Sequence, residues 1–88
     1  SITMDVPSYI KVASNPARVV GLNSVGMERG GIDQETITIL KKAYKIIYRK
    51  GFNLKDAVEK VVSMESSDIQ EVQNFIDSIK SSERGILR

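Results

Sequence analysis

The sequence predicts a mainly α-helical domain entered through a short, turn-rich β-like lead. Three observations carry that prediction. Apolar residues recur at helical spacing in separate segments from residue 34 to residue 79. Pro7 and Pro16 confine β-like character to the first 22 residues, because proline lacks the N–H and disfavours αR in the residue before it. Between them lies an abrupt seam, Asn15-Pro-Ala-Arg-Val-Val-Gly-Leu-Asn23 followed by Ser-Val-Gly-Met-Glu-Arg-Gly-Gly31, where one architecture gives way to another.

Element by element, Tyr9-Ile-Lys-Val-Ala13 alternates loosely and Arg18-Val-Val20 is β-branched, so the lead reads as short extended segments. Two or three short strands cannot bury a face alone. The lead is therefore expected to end a larger sheet, solenoid or β-helix, or to pack on something outside the chain. Asn23 is placed to cap a short helix from Ser24 to Arg29, stopped by Gly30 and Gly31. Asp33 caps the longest helix, from Gln34 to Arg49, whose apolar stripe is Ile37, Leu40, Tyr44, Ile47 and Tyr48, with Gly51 as terminator. Asn53 caps a third helix with a stripe of Leu54, Ala57, Val58, Val61 and Val62. Ser67 with Gln70, or Asp68 with Glu71, forms a capping box for a fourth helix carrying Ile69, Val72, Phe75, Ile76 and Ile79. A polar tail runs Ser-Ser-Glu-Arg-Gly-Ile-Leu-Arg88.

Composition excludes several function classes. The 88 residues contain no His and no Cys, which removes the imidazole base, the thiolate nucleophile and the common zinc ligands. No Walker or dinucleotide glycine pattern occurs, and Asp33, Asp56 and Asp68 sit where caps and solvated helix faces want them. The chain by itself is expected to perform no catalysis and to need no metal or cofactor. The longest apolar runs fall short of the roughly 20 residues that span a bilayer. No secretory signal or initiator Met stands at Ser-Ile-Thr-Met-Asp5, so a processed or partial chain is expected, in a reducing compartment. The net charge of +2 hides an asymmetry: residues 1–50 hold 8 Lys/Arg against 4 Asp/Glu, and residues 51–88 hold 5 against 7. That balance is too weak for a dedicated nucleic-acid binder and suits a local basic patch facing an acidic partner. A chain this short has a small core, which makes association with other chains an expected source of stability.

Two clusters are candidates for function. At the seam, Arg29 could fork onto phosphate oxygens while Asn23 offers an amide to a base or ribose. The alternative is that Asn23 only caps, the glycines only turn, and Arg29 pairs with Glu28 or another carboxylate. On the long helix, Lys41, Lys45 and Arg49 recur every four residues and so share a face, with Lys42 beside them. They form either a docking rail for an acidic protein or a solvated face whose cations complement the helix dipole.

Dispersed along the chain in order are Asp5-Val-Pro-Ser-Tyr9, Asn15-Pro-Ala-Arg-Val-Val-Gly-Leu-Asn23, Ala43-Tyr-Lys-Ile-Ile-Tyr-Arg49 and Ser82-Glu-Arg-Gly-Ile-Leu-Arg88. On these residues the whole chain resembles the C-terminal portion of the acyl-[acyl-carrier-protein]–UDP-N-acetylglucosamine O-acyltransferases, which carry out the first acylation of lipid A biosynthesis. The resemblance implies the last coils of a left-handed parallel β-helix over residues 1–22 and a helical C-terminal domain of about four helices over residues 23–88. It also implies a cytoplasmic homotrimer. A His on the β-helix, outside this chain, would act as general base on the sugar 3-hydroxyl, which attacks the thioester of an (R)-3-hydroxyacyl chain on acyl carrier protein. Asn23 and Arg29 match positions that contact the UDP half of the sugar nucleotide. Val25 stands where some members have Glu, and Gly30 where a second Arg is common. Lys41 matches a basic position near the carrier-protein surface, which would make Lys41, Lys45 and Arg49 the docking row. The reading from another class is a non-enzymatic helical module whose apolar stripes dock a partner protein.

Overall fold

In the computed structural model, which describes residues 4–88, the order of elements is β1 (Ile10–Ala13), β2 (Arg18–Leu22), α1 (Ser24–Arg29), α2 (Gln34–Tyr48), α3 (Leu54–Val62) and α4 (Gln70–Lys80). The mainly helical class and the four helices agree with the sequence. Three of the four starts follow from capping chemistry, in which a side-chain oxygen takes up an otherwise orphaned backbone N–H. Asn23 accepts from the Gly26 N–H at 3.1 Å, Asp33 from the Thr36 N–H at 2.8 Å and Asn53 from the Asp56 N–H at 2.9 Å. The fourth start departs from expectation. Neither capping box forms; Ile69 occupies the cap position with no side-chain hydrogen bond. Ile69 packs against the core instead, and the amide of Gln73 reaches back to the Ser67 carbonyl at 2.6 Å. Hydrophobic anchoring thus sets the register of α4 at the expense of a polar cap.

α2 is the central element and touches α1, α3, α4 and β2. Its inward face is Ile37, Leu40, Ala43, Tyr44 and Ile47, and it meets Ala57 and Val61 of α3 and Val72, Phe75, Ile76 and Ile79 of α4 in one core. Val62 departs from its expected place on the α3 stripe: it is 44% exposed, because one residue past buried Val61 the helix turns the side chain by about 100°. Leu54 and Val58 are half-buried beside it.

Within the lead the described pairing is local, and residues 1–3 of the expected coils lie outside the described residues. Residues 10–22 form an antiparallel hairpin, with Ile10 opposite Leu22, Lys11 opposite Gly21, Val12 opposite Val19 and Ala13 opposite Arg18, and a bulge that skips Val20. The reason is geometric: residues 14–17 make a four-residue connection, which can only return the chain antiparallel, whereas parallel strands need a crossover of about a dozen residues. The lead also packs on the helices. Ile10 is buried in the same core, the Ser8 N–H donates to Ser78 Oγ at 3.0 Å, and the Asn74 amide donates to the Tyr9 hydroxyl at 3.0 Å.

The tail folds back as well. Asp5 and Ile86 form a parallel bridge in which the Asp5 N–H donates to the Gly85 carbonyl at 2.9 Å and the Leu87 N–H to the Asp5 carbonyl at 2.8 Å. The Asp5 carboxylate accepts from Ser82 Oγ at 2.7 Å and pairs with Arg84. These hydrogen bonds hold its pKa below the ordinary 3.8. Ile86 enters the core at 4% exposure. With Asp5 and Ile86 bridged, the radius of gyration is 12.5 Å, close to the roughly 12 Å of a compact domain of this length.

Candidate functional site

The first candidate is the seam at α1. The helix has six residues and ends in a Schellman arrangement: the Ile32 N–H donates to the Met27 carbonyl at 3.0 Å and the Gly31 N–H to the Glu28 carbonyl at 3.1 Å. Gly31 sits at φ +87°, the left-handed conformation that such a stop requires. Met27 is the buried residue of this helix and anchors it to the core. Asn23, Gly26 and Gly30 face a small cleft completed by Tyr9, Met27 and Ile32. Asn23 is exposed; its oxygen serves the cap, and its Nδ2 makes no hydrogen bond among the described residues.

Arg29 is exposed too, but it does not line that cleft. Six residues of helix separate it from Asn23 by about 9 Å along the axis and about 120° around it. The pairing of Arg29 with Glu28 is not formed: Glu28 accepts from the Gln34 amide at 2.6 Å, and Arg84–Asp5 is the one ion pair among the described residues. Among the described residues the guanidinium of Arg29 is thus uncommitted. Val25, two residues past the cap, is 59% exposed and brings no charge to this surface.

The second candidate is the cationic face of α2. Lys41, Lys45 and Arg49 line one cleft of about 580 Å³ together with Leu22, Ser24, Tyr44 and Lys50. Lys42 does not line it, since one residue along a helix turns the side chain by about 100°. Arg49 is held in place: its Nε donates to the Tyr44 hydroxyl at 3.3 Å, and its guanidinium lies 6.0 Å from the Tyr44 ring centroid. Tyr44 in turn stacks on Tyr48 at 5.2 Å between centroids. Burial pushes the Tyr48 hydroxyl up to about 12, and it donates to the Leu87 carbonyl at 2.8 Å.

Sequence reasoning missed three cations here. Lys50 joins the cleft because the helix stops at Tyr48 and the chain turns back, its N–H donating to the Lys45 carbonyl at 3.1 Å. Arg18 and Arg88 meet Arg49 in an adjoining hollow floored by Tyr44 and Tyr48. Arg88 reaches it while donating to the Ile47 and Phe52 carbonyls at 3.2 and 3.0 Å, which closes the end of α2. The extra turn at Lys50 carried a local signal, Gly51 at φ +78°. The approach of Arg18 and Arg88 depends on long-range folding and left none.

Among the described residues, no group of three or more acidic side chains could hold a metal ion, and no helix is long and apolar enough to cross a membrane. The two candidate surfaces offer binding chemistry: a free amide, a free guanidinium and a cluster of cations.

The model of the second domain of UDP N-acetylglucosamine O-acyltransferase matches residues 5–87. The acyl-[acyl-carrier-protein]–UDP-N-acetylglucosamine O-acyltransferase of Fusobacterium nucleatum is 43% identical over all of this chain and 34% of its own length. That of Thermodesulfovibrio yellowstonii is 42% identical over 99% of this chain and 33% of its own. Among solved structures, the UDP-N-acetylglucosamine acyltransferase of Bacteroides fragilis superposes with a TM-score of 0.89 at 38% identity, over 99% of this chain and 34% of that one. The chain spans about a third of the length of the curated relatives it matches.

Proposed function

Since the chain belongs to the UDP-N-acetylglucosamine O-acyltransferase family, as its second domain, we propose that it is the C-terminal part of a cytoplasmic, homotrimeric enzyme of lipid A biosynthesis. That enzyme transfers an (R)-3-hydroxyacyl chain from acyl carrier protein to the 3-hydroxyl of UDP-N-acetylglucosamine. The division at residue 22 is part of the proposal: residues 1–22 join an upstream left-handed β-helix, and residues 23–88 form the helical domain. The observation that carries the reading is the match over residues 5–87 together with the grouping of Lys41, Lys45 and Arg49 in one cleft.

The chemistry divides accordingly. A His on the upstream β-helix takes the proton of the sugar hydroxyl, whose oxygen attacks the thioester carbonyl; the C–S bond breaks and the carrier thiolate leaves. This chain supplies binding. Arg29 forks onto the diphosphate and Asn23 gives its Nδ2 hydrogens to the nucleotide, a ligand long enough to span the two ends of α1. The cation row receives the acidic carrier protein, steering encounter and forming rim ion pairs.

The test is product formation. The longer protein containing this chain, given UDP-N-acetylglucosamine and a 3-hydroxyacyl carrier protein, should yield the 3-O-acylated sugar nucleotide by mass spectrometry, and the 88-residue chain alone should yield none. Acylation by this chain alone, or none by the longer protein, contradicts the reading.

A further inference from the structure

We propose that Gly26 is a positioning residue for Asn23: the missing side chain at position 26 is what allows the Asn23 amide to lie across the first turn of α1 with its Nδ2 presented outward. The inference rests on the reading of Asn23 as a nucleotide contact.

A glycine inside a helix is unfavourable relative to alanine, so its presence calls for a reason. Left-handed backbone is not the reason, because the glycines at positive φ are Gly31, Gly51 and Gly85. Close approach of another element is not the reason either. A Cβ built at Gly26 meets Asn23 first, at 2.5 Å from Nδ2, 2.9 Å from Cγ and 3.0 Å from Oδ1. Gly30, one turn later, differs: its nearest neighbours are helix carbonyls at 3.4 and 3.6 Å, ordinary spacing. The nearest occupant of the room at position 26 is therefore the Asn23 side chain, which carries the free amide of the seam.

An alanine at 26 leaves the helix intact and drives the Asn23 amide outward. Restoring ordinary contact from 2.5 Å moves Nδ2 by about 1 Å, a displacement large enough to cost a directional contact to a bound ligand. The same shift strains the hydrogen bond from the Gly26 N–H, which offsets what alanine gains in the helix. Serine at 23 separates the two roles, because its short hydroxyl caps as well as asparagine and offers no amide.

The experiment uses the full-length enzyme and three variants: Gly26→Ala, Asn23→Ser and the double variant. Each single change should raise KM for UDP-N-acetylglucosamine roughly tenfold, the loss of about one hydrogen bond, without raising KM for the acyl donor. The double variant should be no worse than Asn23→Ser, because the effect of the added methyl group passes through Asn23. Melting temperature reads the same coupling independently of substrate. In the Asn23→Ser background Gly26→Ala should raise it, and with Asn23 in place it should not. An equal rise in both backgrounds, or a raised KM in Asn23→Ser but not in Gly26→Ala, overturns the positioning role. Coupled melting temperatures with KM unchanged in Asn23→Ser overturn the nucleotide contact, and the proposal with it.

Discussion

Replacing Lys41, Lys45 and Arg49 together by alanine should weaken carrier-protein binding about tenfold at low salt. All three side chains are exposed at the mouth of one cleft, so each forms at most a rim ion pair with an acidic partner. Such pairs contribute about 0.5 kcal/mol each, hence about 1.5 kcal/mol for three, and about 1.4 kcal/mol is a factor of ten in Kd. Arg49 should account for the largest share, because its bond to Tyr44 and its place beside that ring already fix it, leaving less side-chain entropy to lose on docking. Screening sharpens the test: the Debye length falls from about 30 Å at 0.01 M salt to about 8 Å at 0.15 M. Titration of the full-length enzyme with acyl carrier protein at both ionic strengths should show the gap between wild type and variant narrowing as salt rises. Lys42→Ala is the internal control and should leave Kd within about twofold, since Lys42 lies outside the cleft. A salt-independent gap, or a Lys42→Ala effect equal to that of Lys45→Ala, would refute the docking role.

Two further predictions concern stability. Asp5 and Asp33 both have lowered pKa values, the first through the hydrogen bonds of Ser82 and Arg84, the second through those of Thr36. Their stabilisation is therefore present above the unfolded carboxylate value of 3.8 and lost as pH falls through the lower folded values. The melting temperature should drop as pH falls below about 4, and the Asp5→Asn, Asp33→Asn double variant should show a shallower drop; an equally steep one would contradict the assignment. Tyr48 has the opposite sign, its pKa raised from 10.0 to about 12 by burial. Its contribution is full below pH 10 and lost toward pH 12, because the unfolded phenol ionises first. Tyr48→Phe should remove that alkaline decline and, by deleting the bond to the Leu87 carbonyl, cost about 1 kcal/mol, or roughly 4–8 °C. A variant that keeps the decline would point to another group.

What could be read from the sequence was local. Asn23, Asp33 and Asn53 announced three helix starts because a cap acts within three residues of itself, and Gly31 announced a stop for the same reason. The fourth start was misread: Ser67 and Asp68 offered caps, but burial of Ile69 decided the register, and burial is settled by the whole core. The lead was legible as strand and its four-residue turn fixed it antiparallel, yet its partners Ser78 and Asn74 lie 65 or more residues away. The tail reads as polar because Ile86 and Leu87 stand alone among polar residues; their partner, Asp5, stands near the other end of the chain. The candidate surfaces divide in the same manner. Lys41, Lys45 and Arg49 share a face by helical arithmetic alone, whereas Lys50 joins their cleft through a chain reversal, and Arg18 and Arg88 reach the adjoining hollow through the hairpin and the tail. The separation of Arg29 from Asn23 around α1 also followed from arithmetic, and the clash that reserves position 26 for glycine did not, since it depends on the rotamer of Asn23.

Steady-state kinetics of Arg29→Ala in the full-length enzyme, with each substrate varied in turn, test most directly whether this domain binds the sugar nucleotide while the base lies elsewhere. Loss of a charged hydrogen bond to phosphate, about 1.5–3 kcal/mol, should raise KM for UDP-N-acetylglucosamine by roughly ten- to a hundredfold with KM for the acyl carrier protein substrate unchanged. Equal increases for both substrates, or a fall in kcat alone, would contradict it.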